Sequence, residues 1–472
     1  MILRITDGTT TVNLTGGSDG IYGGAEYVPR TPDVSEMEFT AEALRDGGEL
    51  IQATRRNVVE SLLLVLTGAS RSALESTLHD LERLLEGAAR YQERKVGARV
   101  YVEYRKADSG DVYRSEILRG SVQPSEETAG EAYFAAGAIQ VTVAWKRRFY
   151  WEGPESELSL TNAHGSGVSG ITVYNHYDSG NENFVAIDGD DVDGVLPAGC
   201  RLVIMNTYND TSRLGDVIIA HNIFSYPTTL DHVLEGEDAD YVAGGASAAP
   251  ASPDVSTYSA GQYQPVSWTG DTLTQAIRWQ LSAALLSACA GGWFRLWGRF
   301  TTSPSGTKIT PRITFPSGTP LTVVAEAAEV TLGSGTLQDL GVLQIPPWLP
   351  AETDLQQVDL TLYARETGGG SFNLDFLQLT PLDGYRYLYP RGYGSSYERQ
   401  IVDDSIHNVL YTENYPSGGV KTGHYLGRGN RILLWPGRDQ RLYFLATNWT
   451  GGAEVLRTLG IRVYYRPRRL TL

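Results

Sequence analysis

Gly16-Gly17-Ser18-Asp19-Gly20 has the G-x-S-x-G spacing that presents a nucleophilic serine at a sharp strand-to-helix elbow. That chemistry needs a buried strand before the serine and a helix after it. Thr9–Thr15 is a polar run instead, and Ile21-Tyr22-Gly23-Gly24 opens no good helix, so a glycine-rich loop is expected. Asp188-Gly189-Asp190-Asp191-Val192-Asp193-Gly194 resembles a calcium loop in composition. Counted back from Gly194, Asp193 and Asp191 fit an EF-hand, but Gly189 stands at the first ligand position and Cys200 at the bidentate one. A hydrated acidic turn is expected over 188–194, with a calcium site of another kind left open.

His79, His164, His176, His221, His232, His407 and His424 include no H-E-x-x-H and no i, i+4 pair, and none adjoins a cysteine. Zinc chemistry therefore has no sequence support. Cys200 and Cys289 lie far apart and predict two free core thiols in a reducing compartment. Glycosylation strings occur at Asn13-Leu14-Thr15, Asn209-Asp210-Thr211 and Asn448-Trp449-Thr450. They carry no weight without an export signal, and Met1–Asp7 lacks the basic-then-apolar layout of one. Acid–base work by two carboxylates depends on spacing in space, which sequence does not show. No segment groups Asp or Glu with the Trp, Tyr and Asn of a glycosidase cleft beyond chance. Tyr258, Tyr263, Trp268 and the stretch Tyr385–Tyr393 could instead offer flat aromatic faces to sugar rings, or simply be core and edge aromatics of a sandwich. The sequence thus predicts no catalytic, cofactor-binding or metal-ligating residues, and not an enzyme.

The elements that must position these residues are mostly strands. The chain has 472 residues, with 52 Gly and 27 Tyr against 3 Met, which favours many short strands joined by turns. Its length exceeds one hydrophobic core. Val58–Leu66 reads as a buried strand ended by Gly68. Ser72-Ala73-Leu74-Glu75 then matches a capping box, and Leu74, Leu78, Leu81, Leu85 and Ala88 form one helical stripe. Arg90, Arg94 and Lys95 suit the helix C-terminus. Each Leu buried on a sheet contributes roughly 1.5–3 kcal/mol, enough to make the stripe core. Val100, Val102 and Tyr104 alternate with polar neighbours, and Ala138–Trp151 predicts a strand with Ile139, Val141 and Val143 on one face. A Gly/Ser link, Asn162–Gly167, separates this α+β part from strands at Ile171–Tyr174 and, after a Pro-Ala-Gly turn, Leu202–Met205. Further strands are expected at Trp293–Trp297, Gln357–Ala364, Phe372–Leu379, Arg431–Trp435, Arg441–Ala446 and Gly460–Tyr465, with Ala243–Pro253 as a loop. Residues 1–154 carry net charge −5, residues 155–384 carry −18 and residues 385–472 carry +7. A basic face for specific nucleic-acid binding is not evident. No apolar run reaches the ~20 residues of a membrane helix, so no membrane insertion is expected.

Several segments together resemble the distal tail protein (Dit) family of long-tailed bacteriophages. They are the order strand Val58–Leu66, helix Ser72–Tyr91 and strands ending in Thr142–Tyr150; Gly194-Val195-Leu196-Pro197-Ala198 leading to Leu202–Asn206; and Leu433-Leu434-Trp435-Pro436-Gly437 with the terminal Val463–Arg468. The resemblance implies an N-terminal helix-on-sheet ring domain at 1–154 and a galectin-like β-sandwich in two pieces, 168–206 and 385–472. The pieces are too far apart for one such domain, which implies an insertion at 207–384. Leu374–Pro381 resembles the last strand of a carbohydrate-binding-module-type jelly roll.

The expected protein is therefore mainly β, a structural virion protein of a phage tail tip made in the bacterial host cytoplasm. Its implied partners are five further copies of itself in a hexameric ring, the tail tube protein, and a tail-tip hub or tail-associated protein. A host cell-surface glycan is the candidate partner of the outward insert. Rival readings are a glycan-binding or glycan-degrading tail adhesin, and another β-sandwich capsid or decoration protein. Exposed coplanar aromatics favour the adhesin, and a cleft with two carboxylates about 5–9 Å apart favours the enzyme.

Overall fold

The computed structural model describes the chain except residues 16–20, 24–26, 41–47, 107–109, 125–137, 168–169, 176–182, 208–213, 223–232, 317–320, 350–356, 383, 390–398, 408, 415–421, 424–425 and 449–450. The protein is mainly β, and its chain divides into two compact units.

The first unit comprises Met1–Ser156, Asp193–Pro197 and Arg466–Leu472. Its strands are β1 (Ile2–Thr6), β2 (Thr11–Asn13), β3 (Ile21–Gly23), β4 (Val34–Thr40), β5 (Gly48–Arg55), β6 (Val58–Thr67), β7 (Val100–Arg105), β8 (Tyr113–Pro124), β9 (Ala138–Arg147) and β10 (Trp151–Glu152), with helix α1 (Arg71–Arg94) after β6. The main sheet runs β2-β1-β7-β8-β9-β6-β3, while β4 and β5 form a separate hairpin. Alternation in β7 and β9 puts Val100, Val102, Tyr104, Ile139, Val141 and Val143 on the covered face, as expected. The Leu stripe of α1 packs on that face, with Leu74, Leu81, Leu85 and Ala88 buried and Leu78 partly so. Gly120 in β8 makes room for it, because a Cβ there would stand 2.7 Å from Leu85 Cδ2.

Three local expectations change. The N-cap is Ser70, whose hydroxyl accepts from Ala73 N at 3.2 Å, so Ser72 lies within the helix and there is no Ser72–Glu75 box. Glu75 instead accepts from Arg71 one turn before it. Strand β9 ends at Arg147, and Trp151 belongs to β10. The terminal strand Arg468–Arg469 pairs with β10 and so belongs to the first unit rather than closing the later sandwich. Asp193–Pro197 joins it there, with Val195 N donating to Arg468 O at 2.8 Å.

The second unit comprises Glu157–Val192 and Ala198–Tyr465. One sheet runs through Gly170–Tyr174, Thr458–Tyr465, Ala198–Asn206, Arg399–Asp404 and Val409–Asn414. A second runs through Phe184–Ile187, Gln440–Asn448, Leu214–Asn222, Tyr385–Tyr389 and Leu426–Gly429. Side chains of both, among them Ile204, Val463, Val217 and Leu442, share one core. Arg386 of the second sheet bonds Asp403 of the first through two buried hydrogen bonds of 2.9 and 2.6 Å.

Two further sheets share the other core. One holds Val233–Glu235, Gly369–Pro381, Trp293–Phe300, Leu337–Gln344 and Gln264–Thr269; the other holds Tyr241–Val242, Thr274–Gln280, Asp359–Arg365, Lys308–Phe315 and Thr322–Glu326. A short helix, α2 (Ala283–Cys289), is capped by Ser282 and was not visible in the sequence pattern.

Strand Leu214–Asn222 pairs with Tyr385–Tyr389 and Gln440–Asn448, so an insertion beginning at 207 starts too early. The chain commits to the other pair of sheets only after Asn222. The Pro-Ala-Gly turn is also displaced, since Ala198 and Gly199 already pair with Leu434 and Leu433. Of Arg431–Trp435 only Leu433–Leu434 is strand. The Asn162–Gly167 link is tied down by Asn162 Nδ2, which donates to Thr172 O and Phe184 O.

Candidate functional site

The first candidate is a face. Strand β6 buries Val58, Glu60, Leu64 and Leu66 but exposes Val59 (58%), Leu63 (54%) and Val65 (40%). The expected buried strand is therefore buried on one side only. A contiguous apolar run cannot distinguish a strand covered on both faces from one that keeps an apolar face for a partner. Beneath the exposed strip, Glu60 is buried and accepts from Tyr27 Oη at 2.7 Å, Trp145 Nε1 at 3.1 Å, Arg147 Nε and Nη2 at 3.0 Å, and Arg30 N at 2.9 Å. The Arg147 guanidinium also lies 4.4 Å from the Trp151 ring centroid.

The second candidate is a cavity of about 730 Å³ in the second unit, where sheets of both cores meet. Asp216, Tyr385, Tyr387 and Arg428 come from one side, and Arg295, Trp297, Asp339 and Leu382 from the other. The two sides are fixed to each other. Ile218, Tyr385 and Leu445 pack with Trp297, Leu337 and Phe376. Arg299 Nε donates to Ala453 O at 2.9 Å, and Asn183 Nδ2 to Gln378 Oε1 at 3.0 Å.

Within the cavity Arg295 Nη1 bonds Asp339 at 2.6 Å, and its guanidinium lies 5.0 Å from the Tyr385 ring centroid. Tyr387 Oη donates to Asp216 at 2.6 Å. Burial pushes Tyr385 up to about 12, with Arg295 opposing, and burial plus the Asp216 hydrogen bond raise Tyr387 further. Both phenols therefore stay neutral. Gly429 borders the cavity at φ +93°, and a Cβ there would lie 2.2 Å from Tyr385 O, so only glycine fits. The N–H groups of Trp297 Nε1 and Arg295 Nε are buried and meet no acceptor among the described residues.

A third cluster is electrostatic. Ser259 ties two carboxylates together, its N–H donating to Asp375 at 3.0 Å and its hydroxyl to Glu235 at 2.7 Å. Arg299 also bonds Asp375. Burial raises Glu235 well above the usual range, Glu237 to about 7 and Asp375 to about 6, with Arg299 pulling Asp375 back. Asp375 is fully buried, so it offers substrate no exposed oxygen.

Of the residues singled out by sequence, Trp268 is no sugar platform: it is 7% exposed and packs in the core against Phe372 at 5.6 Å. Tyr258 and Tyr263 lean on each other at 53° and are not coplanar. Tyr385 lines the cavity, whereas residues 390–393 lie outside the described residues. So do Gly16–Gly20, His176, His232, His424, Asn209–Thr211 and Trp449-Thr450. Residues Gly189–Asp191 form a capped turn in which Asp188 accepts from Asp190 N at 2.9 Å. Asp193 pairs with Arg469 at 3.6 Å, and no group of three potential metal ligands occurs among the described residues. His221 is buried against Gln440, and burial pushes it down to about 4. His407 bonds Asp404. Cys200 and Cys289 are both buried and are not bridged to each other. Asp216, Arg295, Asp339 and Arg428 carried no sequence signal, since no two of them share a strand.

Fold and sites together define a mainly β protein of several sheets, with an apolar strand face and a polar, aromatic cavity. No protein-family model matches the chain, and no curated protein matches it. Among solved structures, it is similar to the SPP1 Dit (gp 19.1) protein, whose description is a paradigm of the hub adsorption apparatus in Gram-positive infecting phages. The identity is 9% over 99% of each chain, with a TM-score of 0.32. A chain of the phage P2 baseplate in its activated conformation with Ca is 10% identical over 48% of this chain and 72% of that one, with a TM-score of 0.28. The corresponding match to the phage p2 baseplate with Sr is 9% identical over 78% and 98%, with a TM-score of 0.27. No helix among the described residues is long and apolar enough to cross a membrane.

Proposed function

We propose that this chain is a structural protein of a bacteriophage tail tip, of the distal tail type, whose first unit closes into a hexameric ring. In this reading the ring joins the tail tube to a hub or receptor-binding apparatus. The chain is not an enzyme, and the galectin-like sandwich and its jelly-roll insert, after Asn222 and up to Gly384, face outward. The observation that carries the reading is the exposed Val59–Leu63–Val65 strip. One face of the sheet is covered by α1, while this apolar strip on the other face is left for a neighbour. A head-to-tail contact repeated around an axis closes a ring without needing a self-complementary patch.

Native mass spectrometry of the purified chain should show six copies. Leu63→Glu should yield monomers with an unchanged far-ultraviolet circular dichroism spectrum, because Leu63 is 54% exposed. Wild-type protein that stays monomeric at high concentration, with or without a tail-tube partner, would overturn the ring.

The second part of the reading is that the outward half binds a host glycan. It is supported by the cavity lined with aromatic and polar side chains, and exposed Trp293 and Trp348 are alternative stacking faces on the insert.

A further inference from the structure

We infer that the cavity between the two sandwiches of the second unit is a binding site for a short neutral oligosaccharide, held by both sandwiches at once. The inference rests on the glycan-binding part of the function proposed above and moves that binding from the insert's outer face to the junction.

The charges decide the ligand class. Arg295 and Arg428 face Asp216 and Asp339, so the formal charges of the lining balance. A phosphate or carboxylate would gain Arg428 but would be brought up against two carboxylates. An apolar ligand would strip water from four charged groups and return no hydrogen bonds. Sugar hydroxyls both donate and accept, so one ligand satisfies Asp216, Arg428 and the remaining donors together.

Trp297 is only 7% exposed yet lines the cavity. Tyr385, Tyr387 and Trp297 add aromatic area suited to the C–H face of a pyranose. The cavity volume of about 730 Å³ lies inside the range of sites that enclose drug-sized ligands, the size class of a disaccharide. The anchors across the junction, Arg299 to Ala453 and Asn183 to Gln378, hold the two walls at a fixed separation, so little ordering is needed on binding.

The test is isothermal titration of the full chain with maltose, cellobiose, lactose and N,N′-diacetylchitobiose, and with glucuronate and inorganic phosphate as anionic probes. At least one neutral disaccharide should bind saturably. Tyr387→Phe, which keeps the ring and removes the hydroxyl that holds Asp216, should weaken it about 3- to 10-fold. Arg428→Ala, at an exposed position that cannot unfold the core, should weaken it comparably, while Trp348→Ala should change nothing. Circular dichroism melts of each variant confirm that the fold is intact. If Trp348→Ala alone abolishes binding, the glycan reading stands and the junction site falls. Binding of glucuronate or phosphate only, lost in Arg428→Ala, overturns the neutral ligand. If none of the six probes binds, the junction site and the glycan reading fall together, while the ring is judged separately by its mass.

Discussion

Glu60→Ala should cost the first unit about 3–5 kcal/mol, the penalty for leaving a buried charge without its partner. The carboxylate accepts five hydrogen bonds from four residues, and its ion-pair partner Arg147 is fully buried. Removing it strands a guanidinium inside the core together with the hydroxyl of Tyr27 and the indole N–H of Trp145. Burial and the Glu60 charge hold the Tyr27 phenol far above its usual range, so in the wild type it stays neutral and donates. The remaining bonds of Arg147, to the carbonyls of Arg30 and Arg148, supply no opposite charge. With two units the chain need not unfold in one step, so calorimetry should show the transition of the first unit falling by roughly 10 °C while the other stays in place. Glu60→Leu combined with Arg147→Met should recover much of the loss, because replacing a buried ion pair by apolar groups is often neutral. A Glu60→Ala protein that melts within about 1 °C of wild type would show that the network contributes nothing.

What the sequence revealed of this architecture followed periodicity. The α1 stripe was legible because Leu74, Leu78, Leu81, Leu85 and Ala88 repeat at helical spacing, and β7 and β9 because their apolar residues alternate. Caps were less so: Ser70 and Ser72 are both competent, and only backbone geometry chooses between them. Charge misled the domain boundary. Leu214–Asn222 lies in the acidic block, yet hydrogen bonding puts it between two strands of the basic tail region, and charge does not report strand pairing. Burial misled the aromatics. Trp268 looked like a platform beside Tyr258 and Tyr263 but points into the core, while Trp297 looked like an ordinary strand residue and lines the cavity. The cavity itself was illegible because its charged residues come from separate strands of two sandwiches. Each is unremarkable in its own segment, and only the fold brings them together.

Replacing both Glu235 and Glu237 by Gln should stabilise the second unit at pH 8 and change little at pH 4.5. Burial raises both carboxyls, Glu237 to about 7, and the neighbouring Asp375 adds to the shift of each. A carboxyl whose folded pKa lies above its unfolded value binds its proton more tightly when folded. Its stabilising contribution is fully present below the unfolded value of 4.5 and is lost as pH rises through about 7. Glutamine keeps the neutral shape at every pH. The melting temperature of the double variant minus that of wild type should therefore be near zero at pH 4.5, climb as pH rises above 5, and reach roughly 5 °C at pH 8. The difference is the quantity to measure, because His221 works in the opposite direction within the same unit. Burial depresses His221 from 6.5 to about 4, so its contribution is present above 6.5 and lost as pH falls toward 4. In wild type the two slopes oppose each other, and the double variant removes the part of the carboxyl slope that Glu235 and Glu237 supply, while Asp375, raised to about 6, keeps its own. A pH-independent difference would mean that these carboxyls are ionised in both states. A negative difference at pH 8 would mean that their charge is needed, with Ser259 and the Arg299–Asp375 pair as its nearest structural context.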